Sequence, residues 1–117
     1  MRVVHLMREP YTVQVSRPAP LGNPFAFKPS KFPVVTVSSR SDAIDWWERY
    51  ARNDKEAVER VLALGANKYR GQVWLVTPEE MRTLIEGLSE DAILGCWCAP
   101  LSCHADRIVK LWKEWRK

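Results

Sequence analysis

The chain has 117 residues, 46% of them hydrophobic and six of them tryptophan, with 18 Lys and Arg against 14 Asp and Glu for a net charge of +4. That length suits about one domain, and that apolar content supports a buried core, which excludes global disorder. No apolar run reaches the roughly 18 residues of a bilayer-spanning helix, and the Met1–Pro10 opening lacks the apolar segment of a signal peptide, so the expectation is a cytoplasmic protein with no membrane partner.

The positive charge is uneven. Residues 1–40 hold Arg2, Arg8, Arg17, Lys28, Lys31 and Arg40 against Glu9 alone, a local net of +5, while residues 41–117 hold the other 12 basic groups and 13 acidic ones. A local positive field favours anionic partners such as phosphates, nucleotides or nucleic acid, although charges spaced this way also make an ordinary solvated edge.

In chain order, Val3–Met7 and the alternating Tyr11–Ser16 read as two strands, joined as a hairpin through Arg8-Glu9-Pro10. Six of the eight prolines then fall between Pro10 and Pro33, which predicts one long, stiffened loop. Loops of this length are functional or disordered, and Phe25, Phe27 and Phe32 argue for one pinned to the core. Pro33–Val37 reads as a short strand. Ser41-Asp42 opens a helix to about Asn53 with Ile44, Trp47 and Tyr50–Ala51 on one face. The adjacent Trp46 and Trp47 cannot both face inward, so one is expected at the surface, as a protein-partner surface or a base-stacking platform.

Asp54 caps a second helix with Val58, Val61 and Leu62 inward, ending near Gly65. Asn67–Gly71 reads as a turn, and Val73–Val76 as a strand or the lead-in to the next helix. Thr77-Pro78-Glu79-Glu80 supplies an N-cap, a proline at the first helical position and a capping-box glutamate. Met81, Leu84, Ile85 and Leu88 give that helix its buried face. The apolar run Ala92–Trp97 reads as a buried central strand. Pro100 ends it, Ser102 caps a last helix, and Ile108, Leu111, Trp112 and Trp115 share one face. The expected fold is one α/β domain over residues 1–117: a small Rossmann-like layered fold, its mixed sheet of about four or five strands covered by helices.

The stretch from Ile93 to Arg107 carries the chemistry. It holds all three cysteines, Cys96, Cys98 and Cys103, and one of the two histidines, His104. With Ser102 as cap, Cys103 and His104 fall at the first two helical positions, where unpaired backbone N–H groups gather. A strand-to-helix loop at a sheet end is where open α/β folds place ligands. Three thiols and an imidazole form a possible zinc set. Cys-x-Cys followed by adjacent Cys-His is nonetheless poor zinc spacing, because neighbouring helical side chains project about 100° apart. Zinc is therefore the alternative, and no cofactor is the favoured reading.

The second reading is an anion or nucleophile site. Cys103 at a helix N-terminus has its pKa lowered by the dipole, His104 acts as acid or base, and Asp106 orients a histidine or a substrate hydroxyl. Backbone N–H groups near Ser102 bind a phosphate. Arg17, Asn23 and Lys28 close over it, Cys98 lies beside it, and Trp97 stacks on a base. The third reading is packing: Cys96 as a small hydrophobe, His104 as a simple cap.

Arg17-Pro18 with Leu21-Gly22-Asn23-Pro24-Phe25, and Cys96-Trp97-Cys98-Ala99-Pro100 with Cys103-His104-Ala105-Asp106, resemble two boxes of the domain of unknown function 4326 family, common in bacteriophages and bacteria. The resemblance covers nearly the whole chain. Ser16 stands where glycine is usual, so the backbone just before Arg17 is where the pattern departs. The resemblance implies a small α/β domain and marks residues without supplying a mechanism. Three function classes follow: a nucleotide- or nucleic-acid-processing enzyme at Cys103 and His104, a non-catalytic nucleotide or nucleic-acid binder, and an interaction protein such as a phage factor that occupies a host protein.

Overall fold

The computed structural model describes residues 1–64, 68–69, 72–99 and 101–116. The elements run β1 (Arg2–His5), β2 (Val13–Gln14), β3 (Phe25–Ala26), β4 (Val35–Thr36), α1 (Arg40–Ala51), α2 (Lys55–Leu62), β5 (Lys68–Tyr69), β6 (Gln72–Val73), α3 (Pro78–Glu86), β7 (Ile93–Cys96) and α4 (His104–Trp115). This is an α/β architecture. Its largest sheet among the described residues has three strands, ordered β1-β7-β2, all parallel, beside a parallel β3–β4 pair and an antiparallel β5–β6 pair. One mixed sheet of four or five strands is therefore replaced by a three-stranded parallel sheet and two separate pairs.

The central strand is β7, as its unbroken apolar run requires. Leu94 and Cys96 are buried in the core, and Ile108, Leu111 and Trp112 of α4 join the same cluster. The expected hairpin does not form. Val3 and Val13 both register with Leu94, one on each edge of β7, so the link between β1 and β2 crosses over that strand. Gly95 makes the crossing possible. A Cβ there would lie 2.7 Å from Cγ of Tyr11, so the tyrosine rests where a side chain would stand. Thr12 fixes the landing point: its N–H donates to the Ile93 carbonyl at 2.9 Å and its Oγ1 accepts from the Ile93 N–H at 2.9 Å.

Capping sets the helix starts. Ser39 accepts from the Asp42 N–H, so α1 begins at Arg40, ahead of the expected Ser41-Asp42. Asp54 accepts from the Ala57 N–H, and Thr77 with Glu80 forms the expected capping box. Tyr50 of α1 donates to the Val76 carbonyl at 2.7 Å, and Trp112 of α4 to the Leu88 carbonyl at 3.0 Å, tying the helices to the turns beside α3.

Two expected inward leucines point out. Leu62 is 72% and Leu84 41% exposed. The helices α2 and α3 are short and bury one narrow stripe each, Ala57 with Val61 and Met81 with Ile85, and a residue adjacent to a stripe rotates off it. Gly65, Asn67, Arg70 and Gly71 lie outside the described residues, as does Pro100. Within the expected Asn67–Gly71 turn, Lys68–Tyr69 is strand, and of Val73–Val76 only Val73 is strand.

The tryptophan pair divides, but neither ring stands free at the surface: Trp46 is partly buried against the core. Trp47 is wholly buried. Trp46 stacks on Phe25 with ring centroids 5.7 Å apart, and the guanidiniums of Arg49 and Arg60 lie 3.9 and 4.5 Å from its ring centre. A partner surface or base platform on either indole would have to displace these contacts.

Helices α1 and α4 are joined by charge. Glu48 accepts from Arg52 at 2.9 Å, Arg107 at 2.8 Å and Lys110 at 3.1 Å, while Arg52 also holds Glu114 and Arg107 holds Asp45. Burial alone would raise the Glu48 carboxyl, but hydrogen bonds from Arg52, Arg107 and Lys110 outweigh it and hold it at about 2. No described helix is long and apolar enough to cross a membrane.

Candidate functional site

Because β2 and β7 are parallel neighbours, the segments that follow them leave the same edge of the sheet. Ser16 and Arg17 come from one, Trp97 and Cys98 from the other, and both line a single pocket of about 330 Å³. The crevice outside the carboxyl ends of parallel strands is the usual ligand position in open α/β sheets. The proline-rich segment closes one side and the start of α4 the other.

The proline-rich segment is built rather than floppy. Its Arg17–Pro18 peptide is cis. The chain coils back on itself, Ala19 N–H to Ser16 carbonyl and Gly22 N–H to Ala19 carbonyl, both at 2.8 Å. A Cβ on Gly22 would lie 2.9 Å from the Ala19 carbonyl oxygen and 3.1 Å from the Arg17 backbone, so only glycine fits. Ser16, standing where the family pattern has glycine, does not have positive φ, since Asn53 is the only such non-glycine described. Asn23 is buried. Its Nδ2 donates to the Ala43 carbonyl at 3.0 Å and its Oδ1 accepts from the Phe25 N–H at 2.9 Å. It pins the loop to α1 and delivers Pro24 and Phe25 to the core.

The start of α4 departs from expectation in one residue. The N-cap is Cys103, not Ser102, and helix α4 begins at His104. The sulfur of Cys103 accepts from the Ala105 N–H at 3.4 Å, and Asp106 accepts from the Cys103 N–H at 3.2 Å. These contacts engage two of the amides expected to cradle a phosphate, and they give Asp106 a capping role on the helix itself. Asp106 does not line the pocket; Ser102 does, and its carbonyl accepts from Arg40 at 3.5 Å.

His104 is buried, and its Nε2 lies 2.8 Å from the Val15 carbonyl and 2.9 Å from that of Leu21. Flanked by two acceptors, Nε2 carries the proton. Burial pushes the imidazole down to about 4, so it is neutral at physiological pH. The ring also packs against Trp47, with centroids 5.4 Å apart. This histidine braces β2 and the proline-rich loop onto α4, and an acid–base role would have to run through its other nitrogen.

The three thiols converge. Sγ of Cys96 and Sγ of Cys103 are 3.3 Å apart, and no cysteine is in a disulfide. Cys103 retains its proton, its pKa raised by hydrogen bonds to the sulfurs of Cys96 and Cys98 and by burial. Cys98 is the half-buried member. The hydrogen bond from Cys103, together with the Arg40 and Arg17 guanidiniums, outweighs burial and brings it to about 6. Among the described residues no group of three or more His, Cys, Asp or Glu side chains is arranged to hold a metal ion, and His104 aims Nε2 away from the sulfurs.

Among the described residues three cations line the pocket, Arg17, Lys28 and Arg40, and no Asp or Glu does. Arg17 is half-buried; it donates to the Asn23 carbonyl at 3.2 Å, and burial lowers its pKa while the Cys98 sulfur opposes that. Lys28 and Arg40 lie 5.4 and 5.1 Å from the Phe27 ring centre. Phe27, Phe32 and Trp97 supply aromatic walls, with Trp97 57% exposed and edge-on to His5.

Arg40, Phe27 and Phe32 were not singled out as site residues from sequence. One signal was available for Arg40: a cation in the first turn of a helix opposes the macrodipole, so its placement there asks for another reason. Cys96, read as a small hydrophobe, is buried yet also reaches the pocket wall.

The family described as a domain of unknown function (DUF4326) matches residues 2–114. No curated protein and no solved structure matches the chain.

Proposed function

The chain belongs to the domain of unknown function (DUF4326) family, whose description names no reaction, and we propose from the pocket itself that it binds an anionic, phosphate-bearing ligand of the nucleotide type. The observation that carries this reading is the charge of the lining: Arg17, Lys28 and Arg40 with no carboxylate among them. Among the described residues none of the three is in an ion pair with Asp or Glu. A half-buried guanidinium without an anion is costly, and a phosphate offsets that cost through charge-assisted, often bidentate hydrogen bonds. A thiolate at Cys98 answers one of the three charges and leaves two.

The rest of the lining fits the rest of such a ligand. Trp97, 57% exposed, supplies the aromatic wall for a base. The volume, about 330 Å³, lies at the small end of the roughly 300–1,000 Å³ range of ligand pockets, which suits a mononucleotide better than a long polymer. Recognition rests on side-chain cations, because the capping contacts of Cys103 and Asp106 already engage amides at the start of α4.

Titration calorimetry with nucleoside monophosphates and with inorganic phosphate, at two salt concentrations, tests it. Arg17→Ala and Arg40→Ala should each weaken binding about tenfold or more and flatten its salt dependence. Unaltered affinity in both variants, or no binding by the unmodified chain, would leave the basic rim as a solvated edge.

A further inference from the structure

The pocket holds a feature that ligand binding leaves unused: three thiols and two guanidiniums on one wall. We propose that Cys98 is a peroxide-reactive nucleophile and Cys103 the thiol that resolves it, so that the pocket carries a two-electron thiol switch. Cys98 lies two residues past the end of β7 and is the half-buried thiol of the pocket wall, whereas Cys96 and Cys103 are buried. The groups that face it are charged or hydrogen-bonding on every side. Arg40 comes from the start of α1, Arg17 from the segment after β2 and Cys103 from the cap of α4, all lining the same pocket, and Cys96 of β7, itself brought down to about 7 by the hydrogen bond to Cys103, is the fourth. His104, also at the start of α4, is held neutral, and no carboxylate lines the pocket. Such surroundings favour the thiolate, consistent with its pKa of about 6. Peroxide-sensing cysteines are acidic, accessible and placed beside a second thiol.

The chemistry balances with hydrogen peroxide as oxidant. The Cys98 sulfur attacks one peroxide oxygen, the O–O bond breaks, and the departing hydroxide takes a proton to become water, leaving a sulfenic acid. The Cys103 sulfur then attacks the Cys98 sulfur. An S–S bond forms, the S–O bond breaks, and the hydroxide leaves as water with the Cys103 proton. Two thiols lose two electrons, and one peroxide becomes two waters. Cys103 already touches Cys96 at 3.3 Å, so a Cys96–Cys103 bond formed in place of Cys98–Cys103 is the outcome that would overturn this pairing.

The test uses the reduced full chain, with iodoacetamide, hydrogen peroxide and the sulfenic-acid trap dimedone, read cysteine by cysteine by peptide mass spectrometry. At pH 7, Cys98 should alkylate at least tenfold faster than Cys96 or Cys103, and Arg40→Ala should move its alkylation midpoint to higher pH. Peroxide should link Cys98 to Cys103. Cys103→Ser should instead accumulate dimedone adduct on Cys98, and Cys98→Ser should give neither product. First labelling at Cys96 or Cys103, a bond from Cys98 to Cys96, or an unmoved midpoint in Arg40→Ala would overturn the assignment. If the Cys103 variant does not fold, the alkylation order and linked peptide of the unmodified chain still decide. No nucleotide enters this assay and no peroxide enters the binding assay, so failure of this proposal and failure of the ligand reading are seen separately.

Discussion

His104 illustrates how a reactive residue type can be turned to construction. Its Nε2 is committed to two backbone carbonyls, and burial holds the ring at about 4 against an ordinary 6.5. Between those values the unfolded chain binds more protons than the folded one, so stability rises with pH there. The contribution is complete above the unfolded value and is lost as pH falls toward the folded one, about 3 kcal/mol in all. Urea unfolding at pH 7 and pH 4.5 should therefore show a marked loss for the unmodified chain and a smaller one for His104→Gln, which keeps an N–H donor but does not titrate. Equal losses would mean that the folded state accepts the proton at His104. Cys103 teaches a related lesson. Ser102 is the better cap by residue type, yet Asp106 lies three residues beyond Cys103 and completes a capping box there. That spacing was visible in the sequence, and the weak acceptor strength of sulfur concealed it.

At the scale of elements, caps followed from local chemistry and pairing did not. Asp54 and the Thr77–Glu80 box start α2 and α3 where the sequence places them, because a cap is made by residues three apart. Asp106→Ala should remove half of the box on α4 and cost about 1 kcal/mol in thermal unfolding. The placement of β1 and β2 on opposite edges of β7 depends on a contact between Tyr11 and Gly95, which are distant in sequence. Gly95→Ala puts a methyl group where the tyrosine lies and should cost about 1–3 kcal/mol. Tyr11→Ala combined with Gly95→Ala should lose clearly less than the sum of the two single changes, as a double-mutant cycle by denaturant unfolding would measure. Strict additivity would mean that the ring moves aside freely.

For the molecule as a whole, Glu48 is the tie between α1 and α4. Its folded carboxyl lies at about 2 against an ordinary 4.5, so its contribution is present above the ordinary value and is lost as pH falls toward the folded one. Glu48→Ala leaves Arg107 with Asp45 alone and Lys110 facing α1 without its anion. Their side chains are 33% and 55% exposed, so the full cost of a broken buried pair is reduced by solvent, to about 2 kcal/mol near neutral pH. Acid unfolding of this variant should also lose part of its slope between pH 4.5 and pH 2; an unaltered slope would count against the network. The sequence by itself determined the α/β class, the central apolar strand β7, the Asp54 and Thr77 caps of α2 and α3, the basic excess of residues 1–40 and the two boxes that mark the family. All of these depend on residue type or on spacing within a few positions. Only the tertiary structure decided that β1 and β2 flank β7 in parallel, that Arg17, Lys28 and Arg40 gather on one pocket with Cys98 as its half-buried thiol, and that Asn23 and the Nε2 of His104 are spent on backbone partners. Each of these depends on which carbonyls, rings and charges the chain brings within a few ångströms across dozens of residues, and neither spacing nor composition encodes that proximity directly.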